Sequence, residues 1–65
     1  MADADLDAVR RGFAELTCLF EDAALVASNG QGIRSRNGGR RHFKSISKAM
    51  DRIRRRLINL EGRIQ

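Results

Sequence analysis

The chain of 65 residues has no proline, no tryptophan, no tyrosine and a single cysteine. Without proline, long uninterrupted helices are possible anywhere in the chain. One cysteine cannot form an intrachain disulfide, which excludes the class of small disulfide-stabilised secreted domains. No apolar run approaches the roughly 18–20 residues of a membrane span. The acidic start, MADADLDAV, lacks the apolar core of a signal peptide. We therefore expect a soluble, cytoplasmic protein that does not bind membranes.

Motifs that would indicate catalysis or metal binding are also missing. Cys18 and His42 are the only residues of the soft-ligand or nucleophile type, and they are far apart in the sequence. There is no HExxH, no CxxC and no phosphate loop. The adjacent acids Glu21 and Asp22 cannot face each other on a helix. We expect no enzymatic activity, no metal, no cofactor and no small-molecule substrate, with Cys18 semi-buried and His42 partly exposed.

Two apolar stripes with heptad spacing predict two helices. In each stripe the apolar residues are separated alternately by three and four positions, which is typical of a and d positions in packed helices. Asp3 or Asp5 is expected to cap the first helix. The members of the first stripe are Leu6, Val9, Phe13, Leu16, Phe20, Ala23 and Ala27, and those of the second are Phe43, Ile46, Met50, Ile53, Leu57, Leu60 and Ile64.

A glycine-rich segment separates the stripes and predicts a loop that turns the chain back. Residues 29–39 hold four of the six glycines. We expect one domain, residues 1–65, with helix 1 at about 4–28, the loop at about 29–39 and helix 2 at about 40–63. Asn37 is the predicted cap of helix 2. The fold class is all-α, an antiparallel helix-loop-helix hairpin whose core is formed by the two stripes.

One hairpin leaves part of its apolar surface in water, which favours association with another chain. The residues Gly12, Leu19, Val26 and Ala49 occupy g positions beside the stripes and widen the apolar surface, as a four-helix bundle requires. We therefore expect a homodimer that forms a four-helix bundle, with these four residues at the dimer interface. A different protein that supplies the other two helices is the main alternative.

Charge is divided unevenly between the two halves of the chain. Residues 1–32 have six acids and two arginines, a net charge of −4, whereas residues 33–65 have eleven basic residues and two acids, a net charge of +9. Such asymmetry indicates an anionic partner, or else an acidic helix that neutralises a basic one. The candidate binding residues lie in the loop and on the side of helix 2 opposite its stripe: Arg34, Arg36, Arg40, Arg41, Lys44, Lys48, Arg52 and Arg55.

These features predict a small non-enzymatic regulatory protein whose basic outer surface contacts duplex DNA or structured RNA. The lack of Tyr and Trp for base stacking argues against single-strand binding. The alternative is an inhibitor or adaptor that docks on another protein, with the basic surface steering it towards an acidic one.

In length, in its two heptad helices and in hairpin topology over about residues 5–64, the chain resembles plasmid copy-number regulators of the helical-hairpin type, which are dimers that bind paired RNA loops. It is similar in the same way to small phage-encoded hairpin proteins that inhibit host regulators. The resemblance implies a small regulatory dimer. It rests on architecture without a shared residue motif, so it assigns no binding residues.

Overall fold

The computed structural model describes residues 4–64, which form two α-helices joined by a short loop. Helix α1 comprises Ala4–Gly30 and helix α2 comprises Arg36–Gly62, so each has 27 residues and is about 40 Å long. The two helices pack against each other. The prediction of an all-α helical hairpin is therefore confirmed.

The loop is shorter than expected, because α1 continues through Gly30. Three hydrogen bonds close its last turn: the amide groups of Gln31, Gly32 and Ile33 donate to the carbonyl oxygens three residues earlier, at 3.1, 3.1 and 3.3 Å. These bonds satisfy carbonyl groups that a helix end otherwise leaves unpaired. No glycine in residues 4–64 has a positive φ angle, so α1 ends without a left-handed glycine.

The start of α2 also differs from the prediction. Its N-cap is Ser35 rather than Asn37: the Ser35 hydroxyl accepts a hydrogen bond from the amide of Gly38 at 3.0 Å. Gly38 and Gly39 therefore belong to the first turns of the helix. A Cβ atom at position 39 would lie 3.3 Å from Ile33 Cδ1, so the glycine lets the loop fold closely onto α2. Of the two predicted caps of α1, Asp3 lies outside the described residues and Asp5 lies in the first turn.

The core is a narrow seam between the two helices. Its buried hydrophobic residues are Val9, Leu16, Ala23, Ile53 and Leu60, with Leu19 and Ala49 packed against the main cluster. Gly12 and Gly39 are buried in the same seam. The d residues of both predicted stripes therefore face the partner helix, as expected.

The a residues of the two stripes do not face the partner helix, so this part of the predicted core is wrong. Phe13, Phe20 and Phe43 are 58%, 53% and 74% exposed, and Leu6, Met50, Leu57 and Ile64 are also exposed. The helices meet along their d and g positions instead, which rotates each helix about its own axis relative to the prediction. Matching the two predicted stripes in an antiparallel hairpin pairs Val9 with Leu60. In the structure Leu60 lies against Gly12, one turn further along α1, so the register along the axis is close to that match.

Small side chains explain the rotation. A Cβ atom at position 12 would lie 2.9 Å from Leu60 Cγ and closer still to both methyl carbons, so only glycine lets the helices approach as they do. Ala23 and Ala49 occupy the same seam. Close backbone approach increases van der Waals contact along the seam, and the larger a residues are left on one side of the hairpin.

Candidate functional surfaces

The eight predicted binding residues are all exposed, and together we call them the basic face: Arg34, Arg36, Arg40, Arg41, Lys44, Lys48, Arg52 and Arg55. The first member lies in the loop and the other seven on α2. The run from Arg41 to Arg55 spans 14 residues of helix, about 21 Å. Every one of these side chains is exposed, and their binding role stays a prediction.

The polar contacts of the basic face are few and long. Arg40 Nη1 donates to Asn37 Oδ1 at 3.4 Å, and Arg55 Nε donates to the carbonyl oxygen of Asp51 at 3.4 Å. Both distances are at the outer limit of a hydrogen bond. Within residues 4–64 no member of the basic face forms a salt bridge, so its charge is open to an external partner.

The acidic helix does little to neutralise α2. Among the described residues the only ion pair between the helices joins Glu15 and Arg56: Arg56 Nη2 donates to Glu15 Oε1 at 2.9 Å, and Nε lies 2.9 Å from Oε2. Arg56 lies at the edge of the seam, outside the basic face. The other ion pair, Arg10 with Asp7 at 3.1 Å, lies within α1. These contacts neutralise little of the charge of α2 within the described residues, and an external anionic partner stays a prediction.

A second surface is formed by the a residues, which we call the apolar face: Leu6, Phe13, Phe20, Ala27, Phe43, Met50, Leu57 and Ile64. In an antiparallel pair that meets along d and g, the a positions of both helices lie on the same side of the hairpin. A groove of about 270 Å³ between the helices is lined by Phe13, Phe20 and Leu57, with Leu16 and Ile53 also lining it. Near the loop, a second groove of about 250 Å³ is lined by residues that include Ala27 and Phe43. The hairpin therefore exposes apolar side chains along one whole side.

The four predicted interface residues lie along the seam of their own hairpin, and their role in a dimer interface stays a prediction. Gly12 is buried against Leu60 of the same chain, and Leu19 and Ala49 pack against the buried cluster. Val26 is half-buried in the seam. Because these g residues contact the other helix of their own hairpin, the apolar surface left for another chain consists of the a residues instead.

His42 has a structural contact in the seam. Its Nε2 atom donates a hydrogen bond to the carbonyl oxygen of Val26, which specifies the tautomer protonated at Nε2. A Cβ atom at Gly30 would lie 2.7 Å from His42 Cδ2, so the glycine makes room for the ring. Cys18 is a free, exposed thiol rather than the semi-buried side chain expected. Over residues 4–64 no three His, Cys, Asp or Glu side chains are grouped as metal ligands would be.

Neither α1 nor α2 has the combination of length and apolarity that crossing a bilayer requires, as far as the described residues extend. Comparison of the chain with protein-family models, with curated proteins and with solved structures finds no match.

The apolar face is the feature that the heptad interpretation missed. The signal was present in the small residues. Gly12 and Gly30 lie on the same line of α1, and each faces a larger side chain of α2, Leu60 or His42. Glycines that recur on one line of a helix indicate close approach to a neighbour, so this line marks the intrachain seam and the phenylalanines mark the free side.

Proposed function

We propose that the protein is a non-enzymatic regulatory binding protein, a homodimeric four-helix bundle whose basic face contacts duplex DNA or structured RNA. The observation that carries this proposal is the basic face itself: eight exposed cationic side chains, none of them in a salt bridge within residues 4–64. Cations that are already extended into solvent can bind phosphates without first giving up a protein partner.

The dimensions of the basic face suit a phosphate backbone. The run from Arg41 to Arg55 extends about 21 Å, and a nucleic-acid duplex presents one charge per roughly 1.7 Å of axis, so several phosphates lie within reach. Arg34 and Arg36 extend the charge around the N-terminal end of α2. Such a face recognises the charge and shape of a nucleic acid rather than its base sequence, because phosphate contacts position a protein without specifying the bases.

The apolar face supports the dimer. Seven of its side chains are large and 41–74% exposed. At about 100 Å² of exposed area each, taken from typical aromatic and aliphatic side-chain areas, they offer roughly 700 Å² per copy, close to the roughly 800 Å² per partner of a standard stable interface. Patches of this size on an isolated chain usually mark an interaction site.

The test of nucleic-acid binding is a charge reversal with a matched control. Lys48→Glu with Arg55→Glu removes two cations of the basic face, and Arg11→Glu with Arg63→Glu makes the same change in net charge outside it. Fluorescence anisotropy with a labelled 20-base-pair duplex and a labelled RNA hairpin should show at least tenfold weaker binding for the first pair only. Equal loss for both pairs would mean that net charge alone, rather than the basic face, is responsible.

The second candidate is an inhibitor or adaptor that binds another protein. It is favoured by two exposed apolar residues that lie on the helices outside the apolar face, Leu25 at 62% and Ile58 at 60%. For this function Leu25→Asp should abolish capture of the target while the charge reversals should mainly slow association. Absence of binding to either nucleic acid at about 50 mM salt would favour this candidate, since phosphate contacts are strongest at low salt.

A further inference from the structure

The charges along the two helices specify how two hairpins associate. We infer that a second copy of this chain covers the apolar face with its two-fold axis parallel to the helices, so that both loops lie at the same end of the bundle. This inference rests on the homodimer of the proposed function but not on nucleic-acid binding.

Two isologous arrangements can bury the apolar face. With the axis parallel to the helices, α1 of each copy lies beside α2 of the other, and the loops are at one end. With the axis perpendicular to the helices, α1 lies beside α1 and α2 beside α2, and the loops are at opposite ends. Helix α1 has five acids and two arginines, a net charge of −3, and α2 has nine basic residues and two acids, a net charge of +7. Only the same-end arrangement places unlike charges side by side.

The residues at the rim of the apolar face make the same distinction. Each e position follows an a residue by four places and flanks this face; Thr17, at an e position, lines the groove together with Phe13 and Phe20. Gly12 lies against Leu60 and Glu15 pairs with Arg56, so Glu61 is level with Arg10 to within one residue. A two-fold axis parallel to the helices leaves the height of every residue along the bundle unchanged. It therefore places Glu61 of one copy beside Arg10 of the other.

Arg54 also favours the same-end arrangement. The Glu15–Arg56 pair makes position 54 level with Thr17, so in the same-end dimer Arg54 faces a neutral hydroxyl of the second copy. In the opposite-end dimer the perpendicular axis passes through the middle of the apolar face, between Met50 and Leu57, and it places Arg54 close to Arg54 of the second copy. Like charges held close at an interface disfavour that arrangement.

Spin-label distances test the inference directly. In the background Cys18→Ser, a label on Gln31→Cys reports the distance between the two loops. Neighbouring helices in a bundle lie about 8–10 Å apart, so the same-end dimer predicts a label distance of roughly 15–30 Å. The opposite-end dimer separates the labels by about 28 residues of helix rise, roughly 42 Å. A label on native Cys18, which is exposed and near the middle of α1, gives similar distances in both arrangements and reports only that a dimer exists.

Each outcome decides the matter. A short distance from Gln31→Cys together with a dipolar signal from Cys18 supports the same-end dimer. A Gln31→Cys distance above about 40 Å, as the helix rise requires for separated loops, overturns it in favour of opposite ends. No interchain signal from either label at about 100 μM protein, far above the roughly micromolar Kd of a weak specific complex, overturns the second copy as occupant and leaves a different protein.

A charge swap gives a second measurement that does not depend on labels. Glu61→Arg should weaken dimerisation severalfold by sedimentation equilibrium, because it places an arginine beside Arg10 of the second copy. Adding Arg10→Glu to the same chain restores the unlike pair and should recover most of the loss. Failure of the second substitution to restore dimerisation, with both variants still helical, would contradict the proposed pairing.

Discussion

Gly12 provides the sharpest test of how the two helices meet. At an unobstructed helical position, replacing glycine by alanine stabilises the helix by about 1 kcal/mol. At position 12 the new Cβ would lie 2.9 Å from Leu60 Cγ, and Leu60 is only 3% exposed, so it has little room to move away. Overpacking of this kind costs about 1–3 kcal/mol. Gly12→Ala should therefore be neutral or destabilising by up to about 2 kcal/mol.

The assay is urea unfolding followed by circular dichroism, arranged as a double-mutant cycle with Leu60→Ala. Truncating Leu60 costs roughly 2–5 kcal/mol, so a stabilising osmolyte is needed to keep every variant folded at the start. With the Leu60 side chain removed, Gly12→Ala should become stabilising, which gives a coupling free energy of about 1–3 kcal/mol. Gly62→Ala, where no atom lies within 4 Å of the added carbon, is the control and should stabilise in both backgrounds.

Equal stabilisation by Gly12→Ala with and without Leu60 would refute this reasoning. It would show that position 12 does not face α2 and that the seam follows the a and d positions after all. The variants should be compared at one fixed protein concentration, because the stability of a dimer depends on concentration.

Three further outcomes follow from the contacts of the hairpin. Ser35→Ala should cost about 0.5–2 kcal/mol in urea unfolding because it removes the N-cap. Asn37→Ala should change the free energy of unfolding by less than about 0.5 kcal/mol, as substitutions at exposed positions usually do. The reverse order would show that residue 37 is the cap. Phe43→Ala should barely alter the helical signal of dilute protein, since the ring is 74% exposed. It should weaken dimerisation, measured by sedimentation. An unchanged association constant would show that Phe43 does not lie in the interface. Glu15→Gln should cost at most about 1 kcal/mol, with the loss shrinking as salt screens the pair with Arg56; a loss that is independent of salt would mean that packing dominates.

The sequence was sufficient to predict the helices and their register, because these depend on local spacing. Alternating steps of three and four residues specify a helix whichever neighbour it packs on. The level of Leu60 beside the start of α1 followed from matching two stripes of equal length. Likewise, a basic residue opposite the apolar stripe, such as Lys48, had to be exposed.

The rotation of each helix was harder to predict, because it depends on competition between two adjacent faces. The a residues are larger and more apolar, so burial of area favours them. The g residues include Gly12 and Ala49, which bury less area but allow a closer approach, and in the hairpin that closer approach prevails. Phe13 and Phe43 are then free for a second chain. Heptad periodicity identifies both apolar faces of a helix together. It does not distinguish the face that packs against the other helix of the same hairpin from the face that stays exposed.

The loop was predicted too long for a related reason. Glycine and asparagine usually end helices, but Gly30 and Gly39 serve packing against His42 and Ile33 and stay helical. The cap at Ser35 depends on where α2 begins, which in turn depends on that packing. Propensity alone could not distinguish the two uses of glycine.

The salt dependence of binding tests the central claim most directly. The affinity of the wild-type protein for a 20-base-pair DNA duplex and for an RNA hairpin should be measured by anisotropy between about 50 and 200 mM salt. If the five basic-face residues Arg41, Lys44, Lys48, Arg52 and Arg55 each neutralise a phosphate, the logarithm of the association constant should fall with the logarithm of salt concentration with a slope of about −4 to −5 on duplex DNA, at roughly −0.9 per phosphate. No binding at about 50 mM salt, or a slope near zero, would contradict the claim that the basic face binds nucleic acid.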